Sequence, residues 1–102
     1  MPVDVVGVGT VCVDLNATVT SIPRIDENVL ALDHRKHLGG PVATALATLQ
    51  RLGMSTVYMG MLGNDDYGRS IIEGMKAEGI DTNAVRVVSI PSAFMPSMIE
   101  RP

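Results

Sequence analysis

The chain has 102 residues, 46% hydrophobic, 19% charged and 3% aromatic with no Trp, enough for a single aliphatic core. A formal charge of -3, from 8 Lys plus Arg against 11 Asp plus Glu, leaves no basic footprint for nucleic acid or an anionic membrane surface. The single cysteine, Cys12, excludes an internal disulfide, no apolar run approaches the roughly 20 residues of a membrane helix, and no secretory leader pattern opens the chain; a soluble, cytoplasmic protein is the expectation.

Residues 3–8 form a β-branched run ending at Gly9, the pattern of a buried first strand in a parallel sheet covered on both faces. From Val11 to Thr20 the alternation is strict, with Val11, Val13 and Leu15 on one face and Cys12, Asp14 and Asn16 on the other. Ser21-Ile22-Pro23 turns the chain. Residues 29–38 are mixed in polarity, with Asp33, His34, Arg35, Lys36 and His37 together, and predict an exposed lid strand.

Pro41 follows Gly39-Gly40 at a favoured first helical position, and apolar residues recur at Val42, Ala45, Leu46, Leu49 and Leu52 before Gly53, predicting a helix marked at both ends. Residues 56–61 read as a buried strand. Asp65 and Asp66 supply the negative charge favoured at the start of a second helix, Tyr67 to Glu78, that buries Tyr67, Ile71, Ile72 and Met75. A third strand over 85–89 completes a strand, helix, strand, helix, strand order, and right-handed crossovers make that sheet parallel. Residues 90–102 are extended but carry Pro91 and Pro96, which confine them to an edge. Two helices cannot cover both faces of three parallel strands, so the pattern predicts a partial α/β fold cut after its third core strand.

Several residues carry candidate chemistry. Gly39-Gly40 lies between the polar strand and a helix start, where bare backbone amides can approach a ligand oxygen; a Gly-Gly-Pro run is equally a tight entry turn. Asp14 stands in mid-strand, where Asp is disfavoured, and can accept hydrogen bonds from two hydroxyls or simply face water. Gly7-Val8-Gly9 is not a dinucleotide turn, since Cys12 replaces the third glycine and a strand follows instead of a helix. His34 and His37 point to opposite faces of a strand, which argues against a shared metal and for solvated lid positions. Cys12 shares a face with Asp14 and, without a partnering His, reads as a small packing residue. Asp65 and Asp66 read as helix-start charge, not as metal ligands.

Taken in order, Asp14, Gly39-Gly40-Pro41-Val42-Ala43-Thr44-Ala45, Arg51-Leu52-Gly53, Gly60 through Gly68 and Glu78-Gly79-Ile80-Asp81-Thr82 resemble the N-terminal part of the ribokinase (PfkB) carbohydrate kinases. The resemblance implies transfer of phosphate from ATP, with Mg2+, to a hydroxyl of a sugar-like molecule held between an α/β core and a small β lid. Lid segments would be about 11–38 and 92–102, and core segments about 3–9 and 40–90. It implies that Asp14 bonds substrate hydroxyls and that the Gly39 and Gly40 backbone lines the same pocket. Thr44 stands where the family usually has a substrate-touching Asn, and Cys12 where ribose-specific members carry Asn, so both enter the substrate-binding set. The family's Gly-Ala-Gly-Asp motif does not occur in these 102 residues. No catalytic, nucleotide-binding or metal-binding residue is therefore expected here, and the chain alone is expected to be inactive. A homodimer through the β lid is the expected assembly. The alternative is a non-catalytic module that binds a polyol or dimerises through the lid edge.

Overall fold

A computed structural model describes residues 2–101. Strand β1 (Val5–Gly7) lies parallel to β4 (Thr56–Tyr58), and β5 (Gly60–Gly63) lies parallel to β6 (Val85–Val88). These are parts of one layer. Met59 N donates to Gly7 O on one side, while Tyr58 N donates to Asp81 O on the other, at 3.0 Å each. Alternate residues of the stretch from Thr56 to Gly63 thus face opposite neighbours, which puts β1 on one edge and Asp81 with β6 on the other. The parallel sheet expected from the sequence is present, with its middle strand longer than 56–61 and interrupted at Met59.

Helix α1 (Pro41–Arg51) starts at its proline, and α2 (Asp66–Ala77) starts after Asp65, whose carboxylate caps it by accepting Gly68 N at 2.8 Å. Both helices lie on one face of the sheet, because two crossovers of the same hand between successive neighbouring strands return to the same side. Leu46 of α1, Ile71 and Met75 of α2, and Ile80 after it are 2% exposed or less, packed with Tyr58, Leu62 and Val13. On α1 the buried positions are Ala43 and Leu46; Ala45 is exposed and Leu52, at the C-cap beyond the last turn, is 75% exposed.

The expectation of a first strand covered on both faces is not met. Among the described residues both helices occupy one side, and Val6 (50%), Met59 (50%) and Met61 (61%) remain exposed on the other.

The second layer is the predicted lid. Strand β2 (Cys12–Val19) is its centre, with β3 (Asp33–Gly39) antiparallel on one side and β7 (Phe94–Glu100) parallel on the other. Residues 29–32, expected in the second lid strand, carry no strand: Thr18 pairs with Asp33, Leu32 N donates to Thr18 O at 2.7 Å as the last rung, and β2 ends one residue on. Pro96 occupies the edge strand, as its missing donor requires. Pro102, placed in the third lid segment by the sequence, lies outside the described residues. Helix α2 carries the lid's apolar face: Tyr67 and Phe94 rings meet at 5.1 Å, and Leu38 packs beside Gly74.

Leu46→Ala in the intact protein is expected to cost about 2–5 kcal/mol in denaturant unfolding, whereas Leu52→Ala stays within about 0.5 kcal/mol. Equal losses would contradict this placement of the core.

Candidate functional site

Residues directly opposite each other across the lid share a face, so the register assigns its polar side. Cys12 faces Gly39, Asp14 faces His37 and Asn16 faces Arg35; across β7, Asp14 meets Met95 and Asn16 meets Ser97. The opposite side carries Val13, Leu15, Leu38 and Phe94 and rests on α2 and the core. The lid therefore turns its apolar side down and presents a band of hydrogen-bonding groups on the other.

The Asp14 carboxylate lies above Gly39. A Cβ built on Gly39 would overlap it, so any side chain there would push the carboxylate from its seat. Cys12 Sγ donates to Asp14 Oδ1 at 3.4 Å. Burial, then the adjacent Asp14 carboxylate, push the Cys12 pKa up from 9.0, so the thiol remains protonated and serves as a donor to Asp14.

Gly40 caps α1 with φ 93°, a conformation that favours glycine, and a Cβ there would stand 2.7 Å from Thr10 O. Thr10 O instead accepts Val42 N at 3.2 Å, and Tyr58 OH donates to Gly9 O at 2.8 Å. The turn before β2 is thereby tied both to the start of α1 and to the core sheet. Cys12, Asp14, Gly39 and Gly40 form one contiguous floor. Thr44 lies one turn into α1 and is exposed; with His37 it lines a neighbouring hollow of about 320 Å3. His37 also borders a second hollow of about 430 Å3 with Asn16 and Arg35, so it links the two. His37 is an exposed lid residue, as the sequence predicts, and the register adds that it lies opposite Asp14.

One contact was not foreseen. Asp65, read only as helix-start charge, also receives Ser92 N on Oδ2 at 2.8 Å, and the buried Ser92 Oγ accepts Gly63 N at 2.9 Å. The strand that completes the lid, β7, begins two residues later. The backbone N–H of Ser92 first, then that of Gly68, hold the Asp65 carboxyl below its ordinary 3.8. Among the described residues no group of three or more His, Cys, Asp or Glu is placed to hold a metal ion.

The sequence model of the pfkB family carbohydrate kinases matches residues 3–90. A 5-dehydro-2-deoxygluconokinase of Geobacillus thermodenitrificans is 38% identical over 84 residues, covering 82% of this chain and 24% of that protein. A 5-dehydro-2-deoxygluconokinase 1 of Bacillus cereus is 34% identical over 86 residues, covering 84% and 25%. Arabidopsis thaliana ribokinase, solved with ribose and ATP, matches at a TM-score of 0.80 and 28% identity over 93% of this chain and 31% of its own. Ribokinase from Thermotoga maritima matches at a TM-score of 0.83 and 24% identity, over 94% and 32%. The chain spans about a quarter of the length of the curated relatives it matches.

Ser92→Ala in the intact protein should cost about 1–3 kcal/mol by leaving Gly63 N unpaired, read by urea unfolding. Asp65 has a folded pKa below its unfolded one, so its contribution is present above roughly pH 4 and fades as pH falls through the lowered value. The stability gap between wild type and Asp65→Asn should be flat from neutral pH to about pH 5 and narrow below pH 4. A gap that widens on acidification would contradict this.

Proposed function

This chain belongs to the pfkB family of carbohydrate kinases, and we infer that it supplies the substrate-binding floor of an ATP-dependent kinase that phosphorylates a hydroxyl of a sugar or sugar acid. The relatives named for 5-dehydro-2-deoxygluconate support that class and make this acid the first substrate to test. The observation that carries the reading is the Asp14 carboxylate seated on Gly39 beside the start of α1.

The arrangement can do three things. Asp14 accepts hydrogen bonds from substrate hydroxyls, with Oδ1 steadied by the Cys12 thiol. Gly39 and Gly40, without side chains, let the substrate come down onto the backbone. Thr44 and His37 line one side of the approach and add a hydroxyl and an imidazole to the contact surface. Together these groups fix a polyol's orientation, which is the positioning part of phosphoryl transfer.

ATP and Mg2+ would supply the phosphoryl group and its counter-charge. Among the described residues no group of three or more His, Cys, Asp or Glu stands together, and Asp65 is engaged by two backbone amides, so none of them is assigned to the metal ion. Substrate binding is thus the role proposed for this chain, with the phosphate chemistry assigned to the remainder of a full-length enzyme.

Two copies are proposed to meet through their lids. The support is the apolar Ala17 and Pro96 on the outer part of the lid, with Met98 57% exposed on the edge strand. Sedimentation of the full-length protein should show a dimer that Met98→Lys weakens; a monomer at all concentrations would exclude it.

In the full-length protein, Asp14→Ala should weaken sugar binding about 10- to 100-fold, the loss of one or two charged hydrogen bonds, and leave nucleotide binding unchanged. Unaltered sugar affinity would remove Asp14 from the site. Absence of ATP-dependent phosphorylation of any polyol by the full-length protein would overturn the kinase reading itself.

A further inference from the structure

The polar side of the lid continues outward past Asp14 into the hollow of about 430 Å3 bordered by Asn16, Asp33, Arg35, His37 and Arg101. Its charges do not cancel. Asp33 Oδ2 accepts Arg35 Nε at 3.1 Å, and this occupies one edge of the guanidinium. No described residue accepts a hydrogen bond from the two terminal nitrogens of Arg35. Arg101 is held at its backbone by donation to Val19 O at 2.8 Å, and no carboxylate among the described residues pairs with its side chain. Two guanidinium groups against one carboxylate leave the hollow with a net positive charge, in a protein whose formal charge is -3.

We propose that this hollow is the carboxylate end of the substrate site: Arg35, assisted by Arg101, holds the carboxylate of an open-chain sugar acid whose hydroxyls lie on Asp14. The inference rests on the kinase reading above and deepens it by committing to an acid in one orientation.

Three observations support it. Arg35 pairs with Asn16, one same-face step outward from the Asp14–His37 pair, and two residues along a strand span about 7 Å. That is the separation between the carboxylate and the far hydroxyls of an extended hexonic acid. The guanidinium keeps two parallel donors after Asp33 has taken Nε, the fork that a carboxylate matches with both oxygens. Asn16 and His37 stand between the two charged ends and offer hydrogen-bonding groups to the middle of the chain. A neutral sugar would use Asp14 and the central groups and leave the two guanidinium groups without a partner. The Arg35 side chain is 70% exposed, so its contribution to the preference is about tenfold, not several orders of magnitude.

The test compares 5-dehydro-2-deoxygluconate with its neutral primary carboxamide in the full-length protein, by calorimetry and by steady-state phosphorylation. Wild type should favour the acid about tenfold in Kd and KM. Arg35→Gln should bring the two compounds to near parity by weakening the acid more than the carboxamide, and Arg35→Lys should restore part of the preference. Retained phosphorylation of the carboxamide also shows that the variant is folded. Equal affinity of wild type for acid and carboxamide, or full preference retained in both Arg35→Gln and Arg101→Gln, would overturn the proposal. In that case phosphorylation of a neutral polyol would leave the kinase reading standing. Loss of phosphorylation with every polyol would instead remove the kinase reading, and this inference with it.

Discussion

The seating of the Asp14 carboxylate on a residue that has no side chain is the constraint on which the rest of the site depends. Any Cβ at position 39 would occupy the carboxylate's space, and any ordinary residue at position 40 would be driven against Thr10 O in a backbone conformation it rarely adopts. Two adjacent glycines with different reasons therefore bring a lid strand, a helix start and a charged acceptor to one point. Cys12 completes the arrangement from below. Its thiol is kept protonated by burial and by Asp14, so it donates to the carboxylate and adds no second anion beside it.

The lid has the opposite problem, since a three-stranded sheet with one wet face is stable only if its other face is covered. Helix α2 supplies that cover through Tyr67, Ile71 and Met75, and the same helix fixes the far lid strand through its cap. Asp65 satisfies the amide of Gly68 at the helix start and that of Ser92 at the entry to β7 with its two carboxylate oxygens. One side chain thus joins core and lid. The charge pattern follows from the same geometry: Val13, Leu15 and Leu38 are turned inward, so Asp14, His37, Arg35 and Asn16 are all turned outward together.

Much of this was legible in the sequence because each element carries local punctuation. The Pro41 start, the Asp65 cap, the glycines after each helix and the strict alternation through β2 locate helices and lid without long-range information. Pairing was the illegible part. The His37 position opposite Asp14 depends on the register of β2 against β3, and the connection between them is too long for turn geometry to set it. The hydrophobic pattern of β3 does not set it either, because five of its seven residues are exposed. Ser92 gave no local signal, since its role is a contact with residues 63 and 65 far back in the chain. The open sheet face was anticipated from the helix count, but the β-branched run of 3–8 suggested cover that the described residues do not provide.

The central claim is that the floor made by Cys12, Asp14, Gly39 and Gly40 receives the substrate. Hydrogen exchange on the full-length protein, with and without a saturating sugar acid, tests it most directly. The account predicts slower exchange of the amides of Gly39, Gly40 and residues 12–16 and 35–38 when the acid is bound, with no change on α2 at Ile71 and Met75. Protection confined to other parts of the protein, leaving these amides at their free rates, would contradict it.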